Sequence, residues 1–255
     1  MPTGAITQYI DVAQLALYAF WIFFAGLVYY LRREDKREGY PLESDRSGAI
    51  DVKGWPAPPP PKSRLLSRGM VAGGGPDRRA VAAQPTGAWL GAPLEPTGDP
   101  MRDGVGPASH AQRADVPDLT FEGAPRIVPL RAAPGFGVDA NDPDPRGMTV
   151  VGADGEAGGV VRDVWVDRSE TIFRYFEVEV AAQGGPRRVL LPVNFSKLDA
   201  QRGVVNVRAI TGAQFAHVPP HANPDTVTLR EEDRITGYFG GGTLYATPDR
   251  REPLV

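Results

Sequence analysis

The chain of 255 residues contains no cysteine. Disulfides, thiolate nucleophiles and cysteine-held iron–sulfur clusters are therefore excluded, and thiol usage says nothing about redox compartment. Histidine is scarce, with three in all. Basic charge is not in excess: the formal net charge is -3 and the pI is about 5.7. That gives no electrostatic footprint of a nucleic-acid binder. The mean hydropathy of -0.26 is ordinary for a soluble protein, so a membrane segment has to be solitary. No Ser/His/Asp arrangement, metal-ligand cluster or phosphate loop stands out. The Gly240-Gly241-Gly242 run lacks the lysine that a phosphate-binding loop needs.

One long apolar run is present, over residues 12–31, and it carries no charge. A helix of ~20 apolar residues crosses a ~30 Å hydrocarbon core. Only a helix or a closed barrel satisfies the backbone there. Asp11 is placed as the helix cap, and Tyr29 and Tyr30 lie where an aromatic belt meets headgroups. A cleavable signal peptide fits poorly: no Lys or Arg precedes the run and the run exceeds an h-region. Residues 1–31 contain no Lys or Arg, whereas Arg32, Arg33, Lys36 and Arg37 follow directly. The positive-inside rule puts 1–11 in the periplasm and the rest in the cytoplasm. Tyr30, Arg32 and Arg33 are candidate contacts to lipid phosphate. Interleaved acids and bases predict helical pairs that carry the helix past the bilayer until Pro41 stops it.

Residues 32–117 form the end of that helix and an extended segment rich in Pro and Gly. Pro58-Pro59-Pro60-Pro61 favours polyproline II, and Gly73-Gly74-Gly75-Pro76 marks a loose turn. Composition alone leaves a disordered tether and an ordered strap both open. Trp55, Trp89, Leu90 and Leu94 are large apolar residues that need a surface, which suits a strap across a larger partner.

Residues 118–255 read as strands and then a helix. Thr149-Val150-Val151, 160–166 (VVRDVWV), 173–180 (FRYFEVEV), 189–191 and 204–210 are short strands. Asp154-Gly155 and Gly184-Gly185 supply turns. Together they suggest a small antiparallel barrel or sandwich. Thr228-Leu229-Arg230-Glu231 is a capping box that starts a C-terminal helix, and Gly240-Gly241-Gly242 is expected to break it. The three histidines, His110, His217 and His221, lie outside the apolar run and read as surface or capping residues.

Several motifs in the same order resemble the H subunit of purple-bacterial photosynthetic reaction centres. They are Glu38-Gly39-Tyr40-Pro41-Leu42-Glu43, Pro96-Thr97-Gly98-Asp99-Pro100-Met101, and Asp103-Gly104-Val105-Gly106-Pro107-Ala108-Ser109. Asp163-Val164-Trp165-Val166-Asp167 and Leu229-Arg230-Glu231-Glu232-Asp233 complete the set. The resemblance covers nearly the whole chain and is weakest over 44–92. It implies one N-terminal span, a strap and a barrel of the type named after this complex. It implies a non-catalytic subunit in the bacterial inner membrane that binds no pigment. The partners would be the L and M subunits, the light-harvesting 1 polypeptides and membrane lipids, with a cytochrome subunit left open. Bacteriochlorophyll, bacteriopheophytin, quinones and non-haem iron would sit on those partners. The implied task is to cap the core on its cytoplasmic face and help bring protons to the secondary quinone.

By itself, the turn Asp167-Arg168-Ser169-Glu170, with Arg174 behind it, reads as a solvated turn. The resemblance places these residues near the secondary quinone. It makes Glu170 the main proton-relay group and Asp167 its partner, with Arg174 holding the acids ionised or tuning their coupling. Tyr40 would lie near the quinone region or pack at the membrane boundary. Family members carry an aspartate and two histidines where this chain has 118–124, which lack histidine. Asp118 or Glu122 would then take up protons, or uptake would occur elsewhere. The competing reading is a membrane-tethered barrel adaptor that docks another partner, such as an RNA-processing factor. A fold alone does not separate the two.

Overall fold

The computed structural model describes residues 4, 6, 11–40, 54–60, 62–66, 69–72, 79–89 and 91–250. Pro41, Leu42, Glu43, Pro61, Gly73-Gly74-Gly75-Pro76 and Leu90 lie outside the described residues. The chain divides into two compact units, 1–79 with 88–92 and 80–87 with 93–255.

In the first unit, α1 runs over Val12–Asp35. Asp11 caps it by accepting from the Gln14 amide at 2.7 Å. At 1.5 Å per residue, 24 residues are long enough to cross a bilayer. Arg32 and Arg33 lie in the last turn, where a cation opposes the negative end of the helix dipole. The helix ends at Lys36, earlier than the stop expected from Pro41. The reason is tertiary. Lys36 is buried, donates from Nζ to the Pro56 carbonyl at 2.7 Å, and faces the Tyr40 ring at 4.9 Å. Arg37 donates to Glu34 at 2.7 Å and to the Pro60 carbonyl at 2.8 Å. The proline-rich segment is thus tied to the helix end by side chains that take its carbonyls. Farther on, β1 (Ser63–Leu66) and β2 (Gly69–Ala72) form an antiparallel pair.

The second unit begins with β3 (Ala83–Pro85) paired antiparallel to β4 (Leu94–Pro96). Helix α2 (Pro100–Asp103) follows, capped by Asp99, with proline at its first position. A 3-10 turn spans Gly106–Ala108. These elements are three or four residues long, too short for a hydrophobic period to develop. That is why the middle of the chain looks featureless as text. In the first unit, Trp55 and Trp89 are 82% and 64% exposed.

Next come β5 (Ile127–Pro129), β6 (Thr149–Val151), β7 (Ala157–Asp167), β8 (Ile172–Ala182) and β9 (Gly185–Pro192). Strands β10 (Ser196–Asp199) and β11 (Val204–Val207) complete a sheet ordered β10-β11-β6-β7-β8-β9, with β5 on β7. The expectation of an antiparallel sheet needs one correction, because β11 and β6 run parallel. No ladder joins β9 to β10 among the described residues, so the strand path is open. Its two ends are nevertheless consecutive in the chain, linked by the 3-10 turn Val193–Phe195. Two register shifts in β7 interrupt its alternation, and every residue from 163 to 167 is buried.

Helix α3 (Leu229–Tyr245) starts at the predicted capping box, with Thr228 and Glu231 bonded reciprocally. It runs straight through Gly240-Gly241-Gly242, contrary to the expected break. These glycines allow close approach. A Cβ on Gly241 would lie 2.5 Å from the Ala108 Cβ, and one on Gly242 would lie 2.5 Å from the Ala209 carbonyl oxygen. The propensity cost of about 0.5–1 kcal/mol per glycine is met by packing α3 against the backbone of the 3-10 turn. The observed architecture is therefore one apolar N-terminal helix, short extended elements, a mainly β domain and a C-terminal helix, as the sequence implied.

Candidate functional site

The turn between β7 and β8 is built by Asp167. Its carboxylate accepts from the Ser169 and Glu170 amides at 2.9 and 3.0 Å, and its carbonyl accepts from the Thr171 amide at 2.8 Å. Asp167 is 1% exposed. A second small hairpin lies beside it, because β5 pairs with β7 and sets Ile127 opposite Asp167. In this hairpin the Arg126 amide donates to the Asp118 carbonyl and the Thr120 amide to the Ala124 carbonyl, both at 2.8 Å.

Arg126 joins the two turns. Its Nε donates to Asp167 at 2.9 Å, its Nη1 to Asp118 at 3.3 Å, and its Nη2 bonds Glu170. Each guanidinium nitrogen thus meets a different carboxylate, a use of the planar fork that lysine cannot copy. Burial pushes the Asp167 carboxyl up, but Arg126 and the two turn amides outweigh it and hold it below the usual range. The bond to Asp167 raises the already high Arg126 value further. Glu122 is exposed; bonds from its own amide and from Thr120 hold its carboxyl down. The expected residues Asp118, Asp167 and Glu170 therefore converge, and Glu122 stands on the same hairpin.

Arg174 is the exception, because the arginine bonded to these acids is Arg126. Arg174 is exposed one position before Tyr175, and its charge acts on Tyr175 and Glu232. Along a strand, neighbouring side chains point to opposite faces, so a residue near in sequence need not face the turn. Tyr175 donates to Glu232 at 2.8 Å. Burial pushes Glu232 up against the opposing pull of Tyr175 and Arg174. A cleft of about 400 Å³ beside this pair is lined by His110, Arg113, Arg174 and Asp233 among others. In the first unit, Tyr30 and Arg32 are exposed, Arg33 is half-buried, and half-buried Tyr40 lies under Lys36.

A second charged network carries no signal along the chain. Buried Glu177 accepts from Arg131 at 2.8 Å, from the Trp165 indole at 3.1 Å, and from Arg188. Arg131 also bonds Asp163 at 3.0 Å. His221 belongs here, which corrects its reading as a surface or capping residue. It meets Trp165 edge-on at 5.4 Å, and burial pushes its imidazole down. His217 is exposed. Among the described residues no group of three or more His, Asp or Glu could hold a metal ion.

Comparison with known families defines the class first: residues 139–214 match the PRC-barrel domain. Residues 4–132, half of the chain, match the N-terminal region of the photosynthetic reaction centre H-chain. The chain belongs to the reaction centre H-chain family, and its apolar N-terminal helix fits membrane anchoring.

Proposed function

We propose that this chain caps the L and M subunits on the cytoplasmic side of the bacterial inner membrane and assists proton delivery to the secondary quinone. Family membership supports the subunit role. The absence of Lys and Arg before the span, with Arg32 and Arg33 after it, supports an N-terminus in the periplasm. Light-harvesting 1 polypeptides and lipid are the further partners, with Tyr30, Arg32 and Arg33 facing headgroups and Tyr40 on the quinone side. Bacteriochlorophyll, bacteriopheophytin, quinones and non-haem iron belong to the partner subunits.

The observation that carries the proton reading is the convergence of Asp118, Asp167 and Glu170 on Arg126. Quinone reduction to quinol consumes two protons, and a quinone shielded from water needs carboxylates to pass them. Glu170 suits that work. Its side chain is 52% exposed and it shares a single arginine with two other acids. Water can reach it, and among the described residues its ion pair is with Arg126. Asp118 and Glu122, on the adjoining hairpin, would receive protons from solvent. The test is the rate of the second electron transfer to the secondary quinone after paired flashes, in the complex carrying Glu170→Gln. Slowing by about tenfold or more, with the first transfer nearly unchanged, is expected for loss of a proton-transfer group. An unchanged rate across pH returns Glu170 to a solvated turn and leaves the chain a structural cap.

A further inference from the structure

We infer that Arg126 is a positioning residue that makes Asp118 and Glu170 one proton-exchanging pair, with Asp167 as its fixed anionic anchor. The inference rests on the proton-delivery reading above and names the group that would organise that site.

The division of labour follows from what each carboxylate touches. Asp167 is 1% exposed, and its oxygens take two backbone amides and the Arg126 Nε. Protonating it would weaken those bonds and leave the guanidinium without its buried counter-charge. It therefore holds Arg126 in place and does not exchange. Asp118 and Glu170 are 44% and 52% exposed and meet the two terminal nitrogens of the same fork. Water reaches both. When one is protonated, it stops competing for the guanidinium, and the other bonds it more strongly. A proton arriving at the 118–126 hairpin is thus coupled to the state of the 167–170 turn, although the two segments are about forty residues apart in the chain. Other charges act here too: Arg168 donates its backbone amide to the Arg126 carbonyl at 3.0 Å and acts on Glu122, and Asp118 acts on Glu232, which Arg113 and Arg174 also face.

The experiment measures the second electron transfer from pH 5 to about pH 9 in the assembled complex. The variants are Arg126→Gln, Arg126→Lys, Asp118→Asn, Glu170→Gln and the Asp118→Asn/Glu170→Gln double. Loss of the positive charge in Arg126→Gln favours the protonated form of the exchanging pair. The pH at which the rate declines is expected to move up by about one unit. Arg126→Lys restores the charge and should bring that midpoint most of the way back. In the wild-type background, Asp118→Asn and Glu170→Gln should be non-additive, the double variant being within about threefold of the slower single. In the Arg126→Lys background that coupling should vanish, because one ammonium cannot span both acids. If Glu170→Gln slows the step while Arg126→Gln keeps the wild-type midpoint, the role of Arg126 is overturned and the relay reading stands. If Glu170→Gln has no effect, the relay reading itself falls. Should Arg126→Gln not assemble, the coupling decides alone: additive effects of Asp118→Asn and Glu170→Gln in the wild-type background overturn the inference.

Discussion

Arg126 and Arg131 flank the same short strand, β5, and each gathers several carboxylates, yet their surroundings differ in kind. At Arg126 one guanidinium serves three acids, two of them open to water. Arg131 also serves three acids, Asp163, Glu177 and Asp225, but buried Glu177 is met in addition by Arg188 and an indole N–H. A carboxylate met by two cations and shielded from water is locked in its charged form. A carboxylate that shares one cation and touches water can exchange. The number of cations that meet one acid, with its exposure, separates an open site from a locked one although the residue types are alike.

The largest effect should come from breaking the locked cluster. Glu177→Gln removes the buried anion that Arg131 and Arg188 share; the half-exposed arginines keep Asp163 and Glu179, so the loss is that of charged hydrogen bonds, about 1.5–3 kcal/mol. Burial pushes Glu177 up, but Arg131, Trp165 and Arg188 outweigh it and hold the carboxyl low. The loss should appear in thermal or denaturant unfolding of the complex's H chain, and wild-type stability would contradict the locked reading.

A smaller effect is expected with pH. Asp167 and Glu177 both have folded values below their unfolded ones. The folded state then binds fewer protons than the unfolded state across that interval. Their stabilisation is complete above the unfolded carboxylate range, about 4, and is lost as pH falls through the lower folded values. Unfolding midpoints measured from pH 7 to about pH 3 should fall, and Glu177→Gln should flatten the slope. A slope unchanged by Glu177→Gln would remove that residue from the account.

The smallest stability effect sharpens the contrast. Glu170→Gln removes a half-exposed ion pair, worth about 0–1 kcal/mol. It should leave the unfolding midpoint almost unmoved while slowing the second electron transfer. A loss as large as that of Glu177→Gln would erase the distinction between the two clusters.

Much of the fold is legible along the chain. The apolar run, the Asp11 cap, the long β7 and β8 strands and the Thr228 capping box are local signals. Each follows from residues a few positions apart. The α3 glycines mislead for the same reason. Local propensity marks Gly240-Gly241-Gly242 as a break, whereas tertiary contact with Ala108 and Ala209 makes glycine a requirement. The resemblance sets Arg174 beside these acids, whereas the arginine bonded to them is Arg126. Arg126 gives no local signal, because only the β5–β7 pairing carries it to the turn.

The sequence by itself determined the membrane-length helix, the mainly β character of the C-terminal part, the final helix and the resemblance that family comparison supports. Hydrophobic period, capping and charge flanks act over a few residues and can be read along a line. Only the tertiary structure decided which arginine holds the acids, that α3 continues through three glycines, and that one strand pair is parallel. Those outcomes depend on segments tens of residues apart meeting at distances of a few ångströms, and no local pattern records such a meeting.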